Sequence, residues 1–82
     1  MSTFLELEII GPSSAKKVSI KWVEVESPTG SFLVGPGHIS LVSTIKKKSL
    51  LVYQLKEAEI VTLEVDGGIF TVADNKAIAI LD

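Results

Sequence analysis

The residues able to do chemistry crowd into one stretch, Gly30 to Leu41, reading GSFLVGPGHISL. It holds the only histidine, His38, behind a Pro-Gly pair and close to three glycines, Gly30, Gly35 and Gly37. An imidazole on a glycine-rich arm suggests acid–base catalysis, a metal ligand or a phosphate loop. Each needs partners that the spacing withholds. Catalysis needs a nucleophile and an orienting group, and no G-x-S-x-G elbow is present. A lone histidine, in a chain without cysteine, gives no two-histidine or thiolate metal site. A phosphate loop needs Lys-Ser/Thr after its last glycine and then a helix, but His38-Ile39 and a strand pattern follow. The glycines read instead as backbone freedom for a tight turn. Glu6 with Glu8, and Glu24 with Glu26, read as solvated strand faces rather than a cation site. No catalytic residue, metal or cofactor is expected.

Two short strings, VESPTGSF and DNKA, resemble the biotinyl and lipoyl carrier domains. There the carrier lysine sits at a hairpin tip in mid-chain. Lys76 follows the turn Asp74-Asn75 but stands six residues from the end, and no Met-Lys-Met occurs. The carrier reading is set aside.

The elements that would position His38 are strands. Leu5, Leu7 and Ile9 alternate with Glu6 and Glu8. Val61, Leu63 and Val65 alternate with Thr62 and Glu64. Ile78 and Ile80 alternate with Ala77 and Ala79. A period of two predicts one buried and one wet face. Turn signals recur at Gly11–Ser14, Ser27–Gly30, Gly35–Gly37, Lys46–Ser49, Lys56-Glu57, Asp66–Gly68 and Asp74-Asn75. That rhythm predicts an all-β fold, a flattened antiparallel β-sandwich of two sheets in one domain over residues 1–82. The apolar phase shifts between Val18, Ile20, Trp22 and Val23, Val25. A bulge or sheet crossing near Trp22-Val23 would do this, with Trp22 at a corner and its indole N–H needing an acceptor.

Composition narrows the partners. The 82 residues carry a net charge of -2, and every basic residue is lysine. Without arginine, the preferred fork for phosphates and guanine edges is missing, so nucleic-acid binding is not expected. Lys46-Lys47-Lys48 reads as a solvated turn or as a patch facing acidic protein or lipid heads. Apolar residues make up 46%, with a mean hydropathy of +0.43. That surplus fits either a dense two-sided core or a face that a partner covers. MSTFLELEII carries no basic start and does not read as a secretory leader. No apolar run reaches the ~18 residues of a membrane span.

From Gly30 onward, TGSFLVGPGHISLVSTIK followed by LLVY resembles the signature of the ε subunit of F-type ATP synthase, called δ in mitochondria. Gly30, Phe32, Val34, Pro36, Gly37, His38 and Leu41 occupy matching places. FLELEIIGPSS upstream and VDGGIFTVADNKAIAILD downstream, with the Gly67-Gly68 pair, extend the resemblance over nearly the whole chain.

The resemblance implies the N-terminal β-sandwich domain of that family, a non-catalytic part of the rotating central stalk. It would dock on the γ subunit and the c-ring, coupling proton-driven rotation to ATP synthesis, as a peripheral membrane component on the cytoplasmic face of a bacterium. It would be a monomer in isolation. Thr29, Gly30 and Ser31 would face the c-ring, and His38 and Ser43 would face γ. Pro36, Gly37, Gly67 and Gly68 would form turns. Ser31 stands where the family usually has an acid, and Lys47-Lys48 where it often has Pro-Gly, so the lysines would supply the electrostatic contact. The chain stops at Asp82, before the family's inhibitory two-helix hairpin, which implies coupling without inhibition. The alternative is a divergent β-sandwich adaptor with another partner.

Overall fold

The computed structural model describes residues 3–82, and within them every regular element is a strand. The strands are β1 (Leu5–Ile10), β2 (Ala15–Ser27), β3 (Gly30–Val34), β4 (Leu41–Ile45), β5 (Ser49–Leu55), β6 (Ile60–Val65), β7 (Gly68–Ala73) and β8 (Lys76–Leu81). They run in the order β4-β7-β8-β1-β2-β5-β6, with β3 on the other edge of β2.

The thirteen residues of β2 make this one sheet into two layers. Its first half, Ala15 to Ile20, pairs with β1; its second half lies between β3 and β5. The register shifts between Ile20 and Trp22, so a bulge bends the strand from one layer into the other. The phase change in the sequence marks this corner. Trp22 is half-buried there, and its Nε1–H donates to Oε1 of Gln54 at 2.9 Å.

Strand pairing is antiparallel except between β1 and β8, which run parallel from Glu6–Lys76 to Ile10–Ile80. No hairpin joins these two strands, the first and last of the described chain, so a short turn does not dictate their relative direction.

Between the layers lie Leu5, Leu7 and Ile9 of β1, Ile20, Val23 and Val25 of β2, and Leu51 and Tyr53 of β5. Phe70 is fully buried and meets Phe32 of the other layer edge-to-face, with centroids 6.0 Å apart. In β8 the alanines take the interior. Ala79 pairs with Phe70 and Ala77 with Leu7, so a small side chain stands beside a large one in each row. Ile78 and Ile80 are left on the outside.

Candidate functional site

All the expected site residues but Ser43 separate to the two ends of the sandwich, one β3 apart. Five residues of strand put roughly 15 Å between them.

At one end, Thr29, Gly30 and Ser31 form an exposed turn. Ser27 Oγ donates to the Gly30 carbonyl at 2.7 Å and accepts from the Thr29 N–H at 3.3 Å, which stiffens the turn from within. The lysine turn lies beside it, since Lys46 N–H donates to the Glu26 carbonyl at 2.8 Å. Ser49 closes that turn: its buried Oγ donates to the Lys46 carbonyl at 2.6 Å. Lys46, Lys47 and Lys48 are exposed. Gly67 and Gly68 belong to this end too, and with Pro28, Lys46 and Lys47 they line an open groove of about 500 Å³.

At the opposite end stands the Pro-Gly-His loop. His38 N–H donates to the Gly35 carbonyl at 3.2 Å, closing a four-residue turn with Pro36 and Gly37 at its centre. Gly37 has φ 79°, the left-handed value that the third position of such a turn requires. The Asp74-Asn75 turn meets the loop: Gly37 N–H donates to Asn75 Oδ1 at 3.1 Å. His38 lines neither this groove nor the second one, of about 440 Å³, beside Lys48 and Glu64. Among the described residues no group of three or more His, Asp or Glu converges as a metal site would require.

Ser43 lies between the ends, on β4. It pairs with buried Phe70 and so shares the inward pleat, its Oγ donating to the Thr44 carbonyl. The neighbour that faces outward is Val42, 75% exposed.

Val42 opens a feature of the outer face of β4-β7-β8-β1. One row across the strands reads Val42, Thr71, Ile78, Glu8, Lys17; the next reads Thr44, Ile69, Ile80, Ile10, Ala15. Val42, Ile69, Ile78, Ile80 and Ile10 therefore form one contiguous patch, with Ile69 50% and Ile80 47% exposed. Glu8 and Lys17 border it, and the next row holds Glu6 and Lys76. Sequence reasoning saw the apolar surplus but did not place it. The available signal was the Ala/Ile alternation in β8, where two apolar phases compete and bulk decides which one packs inside.

The family model of the ATP synthase Delta/Epsilon chain, beta-sandwich domain, matches residues 5–82. The chain belongs to this family. Among solved structures it is similar to a chain in the cryo-EM structure of the Euglena gracilis mitochondrial ATP synthase, OSCP/F1/c-ring, in rotational state 1. That similarity has a TM-score of 0.91 at 14% sequence identity, and covers 99% of this chain and 52% of the other. The δ/ε-type sandwich here thus spans about half the length of the chain it matches. No curated protein sequence matches it.

Proposed function

We propose that this δ/ε-type domain is a non-catalytic component of the central stalk of an F-type ATP synthase. The γ subunit covers the outer face of β4-β7-β8-β1, with His38 at its margin. The end carrying Thr29, Gly30 and Ser31 meets the c-ring, and the exposed lysine turn beside it supplies charge where Ser31 is neutral. Clamped at both places, the sandwich passes ring rotation to the shaft as part of proton-driven ATP synthesis. The assembly holds it at the membrane surface, on the cytoplasmic side in a bacterium.

The observation that carries this reading is the apolar patch of Val42, Ile69, Ile78, Ile80 and Ile10 on a member of this family. An apolar patch with a polar rim is what a protein partner covers. A transmitting part must also be stiff. The two-layer core and the shared strand β2 supply stiffness without any reacting group.

The test is size-exclusion chromatography of the chain mixed with a γ subunit. Co-elution as a stoichiometric complex is expected, with no ATP turnover by the chain alone. Separate elution, where an established ε subunit co-elutes, would sink the reading in favour of an adaptor with another partner. Ser31 and Lys47-Lys48, which depart from the family pattern, point to that second reading.

A further inference from the structure

The Pro-Gly-His loop is held by a residue remote in sequence. Asn75 has φ 61° and uses both ends of its amide. Oδ1 accepts from Gly37 N–H at 3.1 Å, and Nδ2 donates to the Phe4 carbonyl at 2.6 Å. Its own carbonyl accepts from Glu6 N–H at 3.3 Å. One side chain thus ties the loop to the start of β1, and it needs a donor and an acceptor together. An aspartate would turn a carboxylate oxygen toward the Phe4 carbonyl and lose that bond.

The imidazole itself carries a polarity. His38 Nδ1 lies 2.7 Å from the Ile39 carbonyl oxygen. A carbonyl only accepts, so Nδ1 bears the hydrogen, and in the neutral ring Nε2 keeps its lone pair. Nε2 makes no hydrogen bond among the described residues. Next to it in the chain, Ile39 is 79% exposed.

We infer that Asn75 is a positioning residue which presents His38 as a hydrogen-bond acceptor, so the partner surface there must carry a hydrogen-bond donor in apolar surroundings. This rests on the docking of γ proposed above and adds the polarity of one contact. The opposite tautomer would present Nε2–H and select an acceptor. A mismatched pair, once covered, leaves a polar atom buried without a partner, so the contact discriminates more than it binds.

Two measurements decide it. The first is long-range ¹H–¹⁵N NMR of the chain alone, which reads the tautomer of the neutral ring. A protonated Nδ1 and a lone-pair Nε2 are expected; the reverse tautomer overturns the inference whether or not γ binds.

The second is calorimetric titration of γ into variants. Asn75→Asp is expected to lower Tm by roughly 4–8 °C through the lost internal hydrogen bond and to weaken γ binding about tenfold through the released loop. If it unfolds, Asn75→Gly replaces it, since glycine accepts φ 61° and removes only the clamp. His38→Gln, whose amide reaches the Nε2 position and can accept, should stay within about threefold of wild type. His38→Lys, which only donates, should lose at least about tenfold. Equal binding by the Gln and Lys variants, or unchanged binding by both Asn75 variants, overturns the inference. If wild type itself does not bind γ, the docking reading fails and this contact with it. The NMR measurement still reports the tautomer separately.

Discussion

The two outer faces of the sandwich follow the same period of two, yet they are built differently. On β3-β2-β5-β6, each apolar side chain facing outward has a polar neighbour in its row. Leu33 stands beside Glu24, Val52 between Glu24 and Thr62, and Leu50 beside Glu64. Glu26 turns inward along the surface, its Oε2 accepting from Leu50 N–H at 2.9 Å. On β4-β7-β8-β1 the charged groups retreat to the border, only Thr71 interrupts the patch, between Val42 and Ile78, and Ile69, Ile80 and Ile10 adjoin one another in a single row. A carboxylate between two strands costs little in water and much under a partner. The first face therefore suits permanent exposure, and the second suits being covered. The contrast also bears on stability. The mixed face needs no cover, whereas the apolar face would gain protection only from the partner proposed above.

The largest way to break this contrast is to remove the sheet beneath the apolar face. Gly68 starts β7 at φ 145°, and a Cβ there would run into the carbonyl of Ile80. Gly30 starts β3 with the same φ, but a Cβ there would meet nothing within 4 Å. Gly68→Ala is expected to cost about 3 kcal/mol or more, combining backbone strain with a backbone clash. Gly30→Ala should cost only about 1–2 kcal/mol, the strain alone. Denaturant midpoints measure both. Equal losses would mean that the β7–β8 register yields more easily than its geometry implies.

Next in size is a matched pair of outward substitutions. Ile80→Glu places a charge in the apolar row, and Thr62→Glu places one on the mixed face, where both positions are exposed. Each should change stability by no more than about 0.5 kcal/mol. Their effects on γ should diverge. Ile80→Glu is expected to weaken binding about a hundredfold, near 2.7 kcal/mol, and Thr62→Glu to leave it unchanged. A titration in which both variants bind alike would erase the functional meaning of the contrast.

How much of this was readable beforehand depends on the local chemistry. β1 was legible because Leu5, Leu7 and Ile9 alternate with acids that cannot be buried unpaired. The corner at Ile20–Trp22 was legible because a change of apolar phase has few causes in a strand. The face of β8 was not, since alanine and isoleucine both tolerate burial. Its outcome was set by Phe70 and Leu7 on the neighbouring strands, which leave room only for Ala79 and Ala77. The parallel pairing of β1 with β8 is likewise a long-range event with no local signature. At the candidate site, the Pro36-Gly37 turn could be read directly from residue type. Asn75 could be read only as a turn residue, because its bond to the Phe4 carbonyl spans 71 positions. Val42 was overlooked in favour of Ser43, since a polar residue attracts functional attention and an exposed valine does not.

A third prediction approaches the contrast from inside. Tyr53, the only tyrosine, is buried on β5, beneath the mixed face. Burial, and secondarily the carboxylate of Glu59, hold its phenol above the ordinary value of 10.0. In the unfolded chain the phenol ionises first, so above pH 10 the unfolded state holds fewer protons than the folded one. Linkage then requires stability to be unaffected by Tyr53 below pH 10 and to fall as pH rises from there toward the folded pKa. Tyr53→Phe should remove that part of the alkaline decline, and Glu59→Gln a smaller part of it. Chemical-denaturation curves for the three proteins on either side of pH 10 give the comparison. Slopes that stay parallel would mean that Tyr53 reaches water before the fold opens, and that the layer beneath the mixed face is looser than its packing indicates.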